Sequence, residues 1–166
     1  MIAQRPTSRG FSLVEAILSV AFIAFVLSAA MQVLRQSNLW QYKAAERARG
    51  AALADGLMSE IMQQAYEDPG GTVLFGHEVG ESSTSRASCN DVDDYDGWTE
   101  SPPQNQDGTA MSNLSGWTRS VAVVWVNVSA PTTTSLIETG AKRITVTVKH
   151  NSVPVAVRTA VRTKAS

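Results

Sequence analysis

The chain has 166 residues, of which 43% are hydrophobic and 17% are charged, and its formal net charge is −1. This length and composition predict one folded domain, argue against disorder throughout, and disfavour a strongly basic nucleic-acid binder. The single cysteine, Cys89, excludes an internal disulfide bond and a zinc site built from several cysteines.

Residues 1–10 are predicted to be a short basic leader, and the apolar segment that follows predicts a membrane helix. From Ala16 to Leu34 there are 19 uncharged residues. At about 1.5 Å of rise per residue, a helix of that length spans roughly 28 Å, which matches the hydrocarbon thickness of a bilayer. Because positive charges favour the cytoplasmic side, Arg5 and Arg9 predict a cytoplasmic N-terminus, with the residues after Arg35 beyond the membrane.

An acidic residue, Glu15, stands at the start of this apolar segment. Alone, it would be explained as an interfacial glutamate that the helix dipole favours. It is, however, the last residue of the string RGFSLVE, which runs from Arg9 to Glu15 between the leader and the apolar helix. This arrangement closely resembles the type IV prepilin signal, which is shared by type IV pilins and the pseudopilins of type II secretion.

The resemblance implies a processing site and an assembly contact. A prepilin peptidase would cut between Gly10 and Phe11 and methylate the new amine of Phe11, and Gly10 suits cleavage because it lacks a side chain. The Glu15 carboxylate would then pair with the Phe11 amine of a neighbouring subunit, because two such charges are too costly to bury separately. The implied partners are the peptidase, other pilin or pseudopilin subunits, the inner-membrane assembly platform and membrane lipid.

A second interpretation of the N-terminal segment is an ordinary secretory signal, with small residues at Ser28 and Ala30 and cleavage after Ala30. The alternative function is a membrane-anchored or secreted extracytoplasmic binding domain, for a surface or for DNA, and ordinary signal cleavage would release it with Met31 as its first residue. This interpretation accounts for the hydrophobicity but not for the Gly10–Phe11 pair or for Glu15.

Beyond the membrane-spanning and assembly segment, taken as residues 11–34, an amphipathic helix is predicted to continue over residues 35–66. Apolar residues recur at helical spacing, with Leu57 and Ile61 on one face. The sequence EDPGG at residues 67–71 is a strong signal for the end of the helix.

Residues 67–116 are predicted to form a long acidic loop, because they lack periodicity and are rich in glycine, proline and serine. Ten acidic side chains and one basic side chain lie between residues 67 and 107. We expect this loop to be solvated and to hold no resident cofactor. Its stretch rich in aspartate, with tyrosine and tryptophan, also resembles minor pilins of the mannose-sensitive haemagglutinin type. Hard cations bind clustered oxygens, although the spacing does not fit an EF-hand. Calcium is therefore the alternative, and its candidate ligands are Asp91, Asp93, Asp94 and Asp96.

Residues 117–166 predict an antiparallel sheet, with three strands at 117–128, 142–149 and 153–161. Such a sheet with one apolar face needs a partner, and the second half of the helix can supply it. We expect an α+β fold, in which a long N-terminal helix, membrane-spanning in its first half, packs on a small antiparallel C-terminal sheet, as in pilins. In the last strand, the face predicted to pack holds Val153, Val155, Val157 and Val161, opposite Arg158 and Arg162.

The segments together predict a structural protein rather than an enzyme. The sequence contains no Gly-x-Ser-x-Gly, His-Glu-x-x-His or phosphate-loop motif. The seven basic residues after residue 107 are expected to be solvated and not bound to nucleic acid, since no aromatic residues alternate with them. We predict a single-pass inner-membrane protein that acts as a minor subunit of a type IV pilus or a type II secretion pseudopilus. Its C-terminal domain is expected in the periplasm or on a cell-surface filament.

Overall fold

The computed structural model describes most of the chain: Gly10, Ser12–Gly71, Leu74–Glu78, Gly80–Ser82 and Thr84–Lys164. The chain divides into two compact units, of which the first ends at Ala44 and the second begins at Ala45. One helix, α1 (Leu13–Ile61), contributes residues to both units.

In the first unit, the described residues are mainly the apolar part of α1. Among the described residues, α1 is the one helix long and apolar enough to cross a membrane, and no residue of its most apolar stretch is buried within the chain. Its large side chains, among them Ile17, Phe22 and Phe25, are exposed. A continuous exposed apolar surface of this kind marks contact with a membrane or another protein, and it is consistent with a single-pass membrane anchor.

The second unit combines the rest of α1 with five antiparallel strands. Neighbouring strands across the sheet follow the order β1, β2, β4 and β5, and β3 also pairs with the end of β2. The segment between α1 and β1 contains two short 3₁₀ turns, Arg86–Ser88 and Asp93–Tyr95. The strands are β1 (Thr99–Glu100), β2 (Trp117–Asn127), β3 (Ala130–Thr134), β4 (Ala141–His150) and β5 (Val153–Thr163).

The core of the second unit forms between one face of α1 and one face of the sheet. α1 contributes Ala54, Leu57 and Ile61, all of which are fully buried. Burying a side chain as large as leucine or isoleucine contributes about 1.5–3 kcal/mol. The predicted α+β fold, a long helix packed on a small antiparallel sheet, is confirmed. The sheet contributes alternate residues of its two central strands to the core, which are Val121, Val123, Ile144, Val146 and Val148.

The strand predictions are confirmed for β2, β4 and β5, which begin and end within about two residues of the predicted segments. β4 and β5 are joined by the two-residue turn Asn151–Ser152, in which both residues have positive φ (48° and 69°), as a type I′ hairpin turn requires. β1 and β3 are short, and they lie in segments predicted to be loop and turn.

A bulge interrupts the pairing of β4 with β5. The register shifts near Val148 and Lys149, which pair with Ala156 and Pro154 respectively. Val155 is therefore an additional residue between these two partners. A bulge of one residue exchanges the two faces of the strand for all residues that follow it.

Because of this bulge, the prediction of which residues face the core is wrong for the second half of β5. Arg158 faces α1, where its guanidinium donates to the Asp55 carboxylate at 2.6 Å. Arg162 lies on the same face and donates to the carbonyl of Gln64, just after the end of α1, at 3.5 Å. Val157 and Val161 were predicted to be on the packed face, yet their side chains are 52% and 37% exposed. The alternation of residues in a sequence contains no mark of an inserted residue, so the exchange of faces could not be predicted from it.

α1 ends at Ile61, earlier than its predicted end at Tyr66. Ala65 leaves the helical path and makes backbone hydrogen bonds to a distant segment instead. Its amide donates to the carbonyl of Asn90 at 3.3 Å, and its carbonyl accepts from the amide of Val92 at 3.1 Å. A long-range contact thus overrides the helix preference of the local sequence.

Gly50 and Gly56 form a matched pair that tests the close approach of α1 to β5. A β-carbon at Gly50 would lie 2.8 Å from Val155 Cγ2, whereas one at Gly56 would meet nothing within 4 Å. Gly56→Ala should stabilise the protein by up to about 1 kcal/mol, because alanine is the better helix former. Gly50→Ala should destabilise it by about 1–3 kcal/mol through overpacking. Denaturant unfolding of the full-length chain in detergent measures both changes, and a stabilising Gly50→Ala would contradict this packing.

Candidate functional site

The first candidate site is the start of α1, which carries the residues of the N-terminal motif. Gly10 is exposed, and Glu15 lies in the first turn of α1 with its side chain exposed. Phe11, the other residue predicted for processing, lies outside the described residues. Glu15 occupies a shallow, mostly apolar groove on α1, which is also lined by Ser12, Val14, Leu18, Ser19 and Phe22.

Within the part of the chain that the structure describes, no basic side chain pairs with Glu15. The helix dipole favours a negative charge at this end of α1, but the effect is only about 0.3–1 kcal/mol. A carboxylate in a membrane helix costs about 2.5–3.5 kcal/mol at the centre of the bilayer, although less near its surface. Among the described residues, the Glu15 carboxylate therefore has only the weak effect of the helix dipole to offset the cost of its charge in a membrane helix.

The second candidate site is the acidic segment with the four aspartates predicted as calcium ligands. Asp91, Asp93 and Asp94 are at most 2% exposed, whereas Asp96 is exposed. The expectation of a solvated loop is therefore wrong for the first three. Each carboxylate has its own hydrogen-bond donors, and among the described residues the four do not come together as one metal-binding group.

The carboxylates of Asp91 and Asp96 accept hydrogen bonds from backbone amides. Asp91 Oδ1 accepts from the amides of Asp93 at 2.9 Å and Asp94 at 3.2 Å, a local bond typical of aspartate at the start of a turn. Asp96 Oδ1 accepts from the amide of Val123 in β2 at 2.8 Å. Burial and the nearby Asp93 carboxylate raise the pKa of Asp91 to about 8. These two acids fix the path of the loop.

Asp93 is neutralised by Lys142 of β4. The Lys142 ammonium contacts the Asp93 carboxylate and also donates to the backbone carbonyl of Tyr66. The same ammonium lies 4.5 Å from the centre of the Tyr66 ring, which is a cation–π contact. The second Asp93 oxygen accepts from the amide of Gly76 at 3.1 Å. Both oxygens of Asp93 are thus occupied, and the pair fastens the loop to β4.

A network of four charged side chains joins the loop to α1 and β2. We call Glu60, Arg86, Glu100 and Arg119 the charge network. The Arg86 guanidinium donates to both carboxylate oxygens of Glu60, at 2.7 and 2.6 Å. The Arg119 guanidinium donates to the Glu100 carboxylate. Both guanidinium groups also donate to one backbone carbonyl oxygen, that of Gln104, at 2.6 Å each.

Arg86, Glu100 and Arg119 of the charge network are buried and Glu60 is half-buried, and the two acids balance the two bases. Arg86 and Arg119 are each 2% exposed. Burial lowers the pKa of Arg119, and the Glu100 carboxylate opposes this shift by favouring the charged guanidinium. Nothing in the local sequence predicts the network, except that Arg86 is the one basic residue between residues 67 and 107.

A further group of polar side chains surrounds Asp94. We call Glu78, Glu81, Asp94, His77 and Asn90 the Asp94 cluster. The nearest carboxylate oxygens of its three acids all lie within 4.8 Å of one another. His77 Nδ1 lies 3.7 Å from Asp94 Oδ1, and the side-chain amide of Asn90 donates to Glu81. Burial and the adjacent Glu81 carboxylate raise the pKa of Glu78 to about 7, and burial also raises the pKa of Asp94.

Cys89 is a buried free thiol beside the Asp94 cluster. Its Sγ atom, a ring nitrogen of His77 and a carboxylate oxygen of Asp94 lie within 4.8 Å of one another. Burial raises the pKa of the thiol to about 12. Since the thiolate is the reactive form of cysteine, this residue is not set up as a nucleophile.

Comparisons of this chain with protein-family models, with curated proteins and with solved structures find no match. The function must therefore be inferred from the residues themselves. The start of α1 offers a sequence motif, and the Asp94 cluster offers a set of buried oxygens.

Glu100→Gln tests whether the charge network holds the second unit together. The substitution keeps the shape of the side chain but leaves the buried Arg119 guanidinium without its counter-ion, so it should cost about 3–5 kcal/mol of stability. Asp55→Asn is the matched control, because the Asp55–Arg158 pair is 56% and 42% exposed, and an exposed pair contributes at most about 1 kcal/mol. Denaturant unfolding followed by circular dichroism compares the variants in the full-length chain. Equal losses for the two variants would contradict the stabilising role of the network.

Proposed function

We propose that this chain is a minor structural subunit of a type IV pilus or of a type II secretion pseudopilus. The observation that carries the proposal is the string RGFSLVE, which ends at Glu15 in the first turn of α1, at the start of an apolar helix able to cross a membrane. In this role, the Gly10–Phe11 bond is the site of cleavage and Phe11 is the site of N-methylation. The apolar helix anchors the subunit in the membrane before assembly and packs against other subunits afterwards.

The exposed carboxylate of Glu15 supports an assembly role. It lies in an apolar groove, and no basic side chain of the described residues neutralises it. Cleavage before Phe11 would create a positively charged amine at the same end of the helix. When two subunits pack side by side, the amine of one can pair with Glu15 of the other, which removes the cost of burying either charge alone.

The fold of the second unit supports the same proposal. A long helix packed on a small antiparallel sheet is compatible with a pilin-like subunit. Arg5 and Arg9 favour a cytoplasmic N-terminus in the inner membrane, so the second unit would lie in the periplasm or on a filament. The long segment between α1 and β2 is held by its own buried charges, which suits a specialised minor subunit.

Processing of the N-terminus is the first test of the proposal. Mass spectrometry of the membrane fraction should find a mature protein that begins with N-methylated Phe11. Gly10→Val should leave the leader attached, because a branched side chain crowds an extended cleavage site. Thr7→Val, which places the same side chain elsewhere in the leader, should still be cleaved. A mature terminus at Met31 would contradict the proposal and would favour release of a secreted binding domain.

Substitution of Glu15 tests assembly separately from insertion. Glu15→Ala should leave membrane insertion and cleavage intact, yet reduce recovery in sheared filaments or crosslinked subunit complexes. Loss of a buried partner charge costs about 3–5 kcal/mol, which corresponds to roughly a hundredfold or more in an assembly equilibrium. Glu15→Asp should be intermediate, because it keeps the charge on a shorter side chain. Gln32→Ala, which removes an uncharged polar group from the same helix, is the control. If Glu15→Ala is recovered in filaments at the wild-type level, relative to its membrane pool, Glu15 does not drive assembly.

A further inference from the structure

The Asp94 cluster contains buried polar atoms that have no hydrogen-bond partner within the described residues. Asp94 itself is fully buried. Its Oδ2 atom accepts from the amides of Asn90 at 2.8 Å and Asp91 at 3.2 Å, so the backbone fixes the direction of the carboxylate. Its other oxygen, Oδ1, belongs to the set without a partner. That set consists of Asp94 Oδ1, both carboxylate oxygens of Glu78, Asn90 Oδ1 and His77 Nδ1.

The electrostatics of the cluster are unfavourable for the chain alone. The nearest carboxylate oxygens of Glu78, Glu81 and Asp94 lie within 4.8 Å of one another, and like charges repel strongly where water is excluded. The backbone amide of Glu78 donates to the Glu81 carboxylate at 2.9 Å, but this donor is neutral and does not cancel the charge. The buried ammonium of Lys142 does not compensate these acids either, because it is paired with Asp93. Three acids therefore share one region, in which Asp94 is buried and Glu78 and Glu81 are half-buried. The His77 ring lies beside Asp94 but is only one basic group for three acids, and a bound cation would balance them.

We propose that Glu78, Glu81 and Asp94 bind one divalent cation of the class that prefers oxygen ligands, with Asn90 Oδ1 as a further ligand. Ca²⁺ in proteins takes carboxylate, amide and water oxygens at about 2.3–2.6 Å. Atoms that lie within 4.8 Å of one another can all reach one ion at such distances. This proposal does not depend on the filament role of the chain.

The chemistry of the available atoms decides between this class of cation and zinc. His77 and Cys89, together with Asp94, form a second set within the same distance limit, and nitrogen with sulfur would suit zinc. Among the buried nitrogen and oxygen atoms of the cluster that have no partner, however, four are oxygens and one is a nitrogen, and Cys89 adds a single sulfur atom. Oxygen donors therefore dominate the site and favour a hard cation.

A cation at this site would connect two parts of the segment between α1 and β1. Glu78 and Glu81 precede the first 3₁₀ turn, and Asp94 lies in the second. The cation would replace repulsion among the acids with attraction to one centre. Binding should therefore stabilise the second unit.

Calorimetry of the full-length chain in detergent, freed of metal with EDTA and then dialysed, tests the proposal with Ca²⁺ and Mn²⁺ as separate probes. We expect one saturable site with a Kd of about 10⁻⁴–10⁻³ M, the range typical of extracellular calcium modules. The midpoint of thermal unfolding should rise by about 3–10 °C near saturation. Absence of saturable binding of both ions up to about 10 mM, well above that range, would overturn the proposal.

Variants identify the ligands. Glu78→Gln should weaken Ca²⁺ binding at least about tenfold, as loss of a metal-site residue commonly does. Without metal, Glu78→Gln should be at least as stable as the wild type, since it removes a repelling charge; this distinguishes a lost ligand from a misfolded protein. Asp107→Asn, which alters an exposed carboxylate bonded to Thr109, is the matched control and should bind normally.

The same variants show which results would overturn the site. Unchanged Ca²⁺ affinity in Glu78→Gln would exclude this carboxylate as a ligand. The chain could instead bind Zn²⁺ tightly, bind neither Ca²⁺ nor Mn²⁺, and lose the Zn²⁺ in Cys89→Ser. That result would overturn the proposal and assign the site to His77, Cys89 and Asp94. Normal Ca²⁺ binding by Cys89→Ser, by contrast, would support the set of oxygens.

Discussion

Two arginine side chains that share one backbone carbonyl oxygen connect the loop to α1 and β2 in the second unit. Arg86 comes from the loop and Arg119 from β2, and both donate to the carbonyl of Gln104 while each also pairs with a carboxylate. Three of these four charged side chains are buried, and burying charges is favourable only when their donors and acceptors are well matched, as they are here. The segment between α1 and β2 has little regular secondary structure, so these contacts set its path together with the buried side chains of Val92 and Tyr95.

α1 meets two different environments along its length. Its early residues are apolar on all sides and exposed, which suits a bilayer or a helix partner in another subunit. From Gly50 onwards, α1 has one buried face that includes Leu57 and Ile61. One continuous helix can therefore serve both membrane anchoring and the core of the second unit. Gly50 marks the place where α1 comes closest to β5, and Val155 occupies the space that a side chain would need.

Local sequence patterns predict those elements in which one regular pattern of apolar and polar residues continues without interruption. The apolar run at the start of α1 and the alternating residues of β2 and β4 lie as expected. The polar contacts of the loop could not be predicted, because their partners are distant in sequence. Arg86 and Glu60 are 26 residues apart, and Lys142 and Asp93 are 49 apart. The prediction of which β5 residues pack against α1 is wrong for another reason, since the extra residue Val155 exchanges the two faces of the strand. The Asp94 cluster depends on side-chain directions that no spacing rule contains.

The most direct test of the central claim, that the start of α1 packs against another subunit, is site-specific photocrosslinking in cells. A photoreactive amino acid in place of Leu18, which lines the same groove as Glu15, reports what lies next to that carboxylate. We expect a crosslink to the N-terminal helix of another pilin-like subunit, and we expect it to disappear when the prepilin peptidase is inactivated. Crosslinks to lipid alone, in cells with an active peptidase and assembled filaments, would contradict the claim.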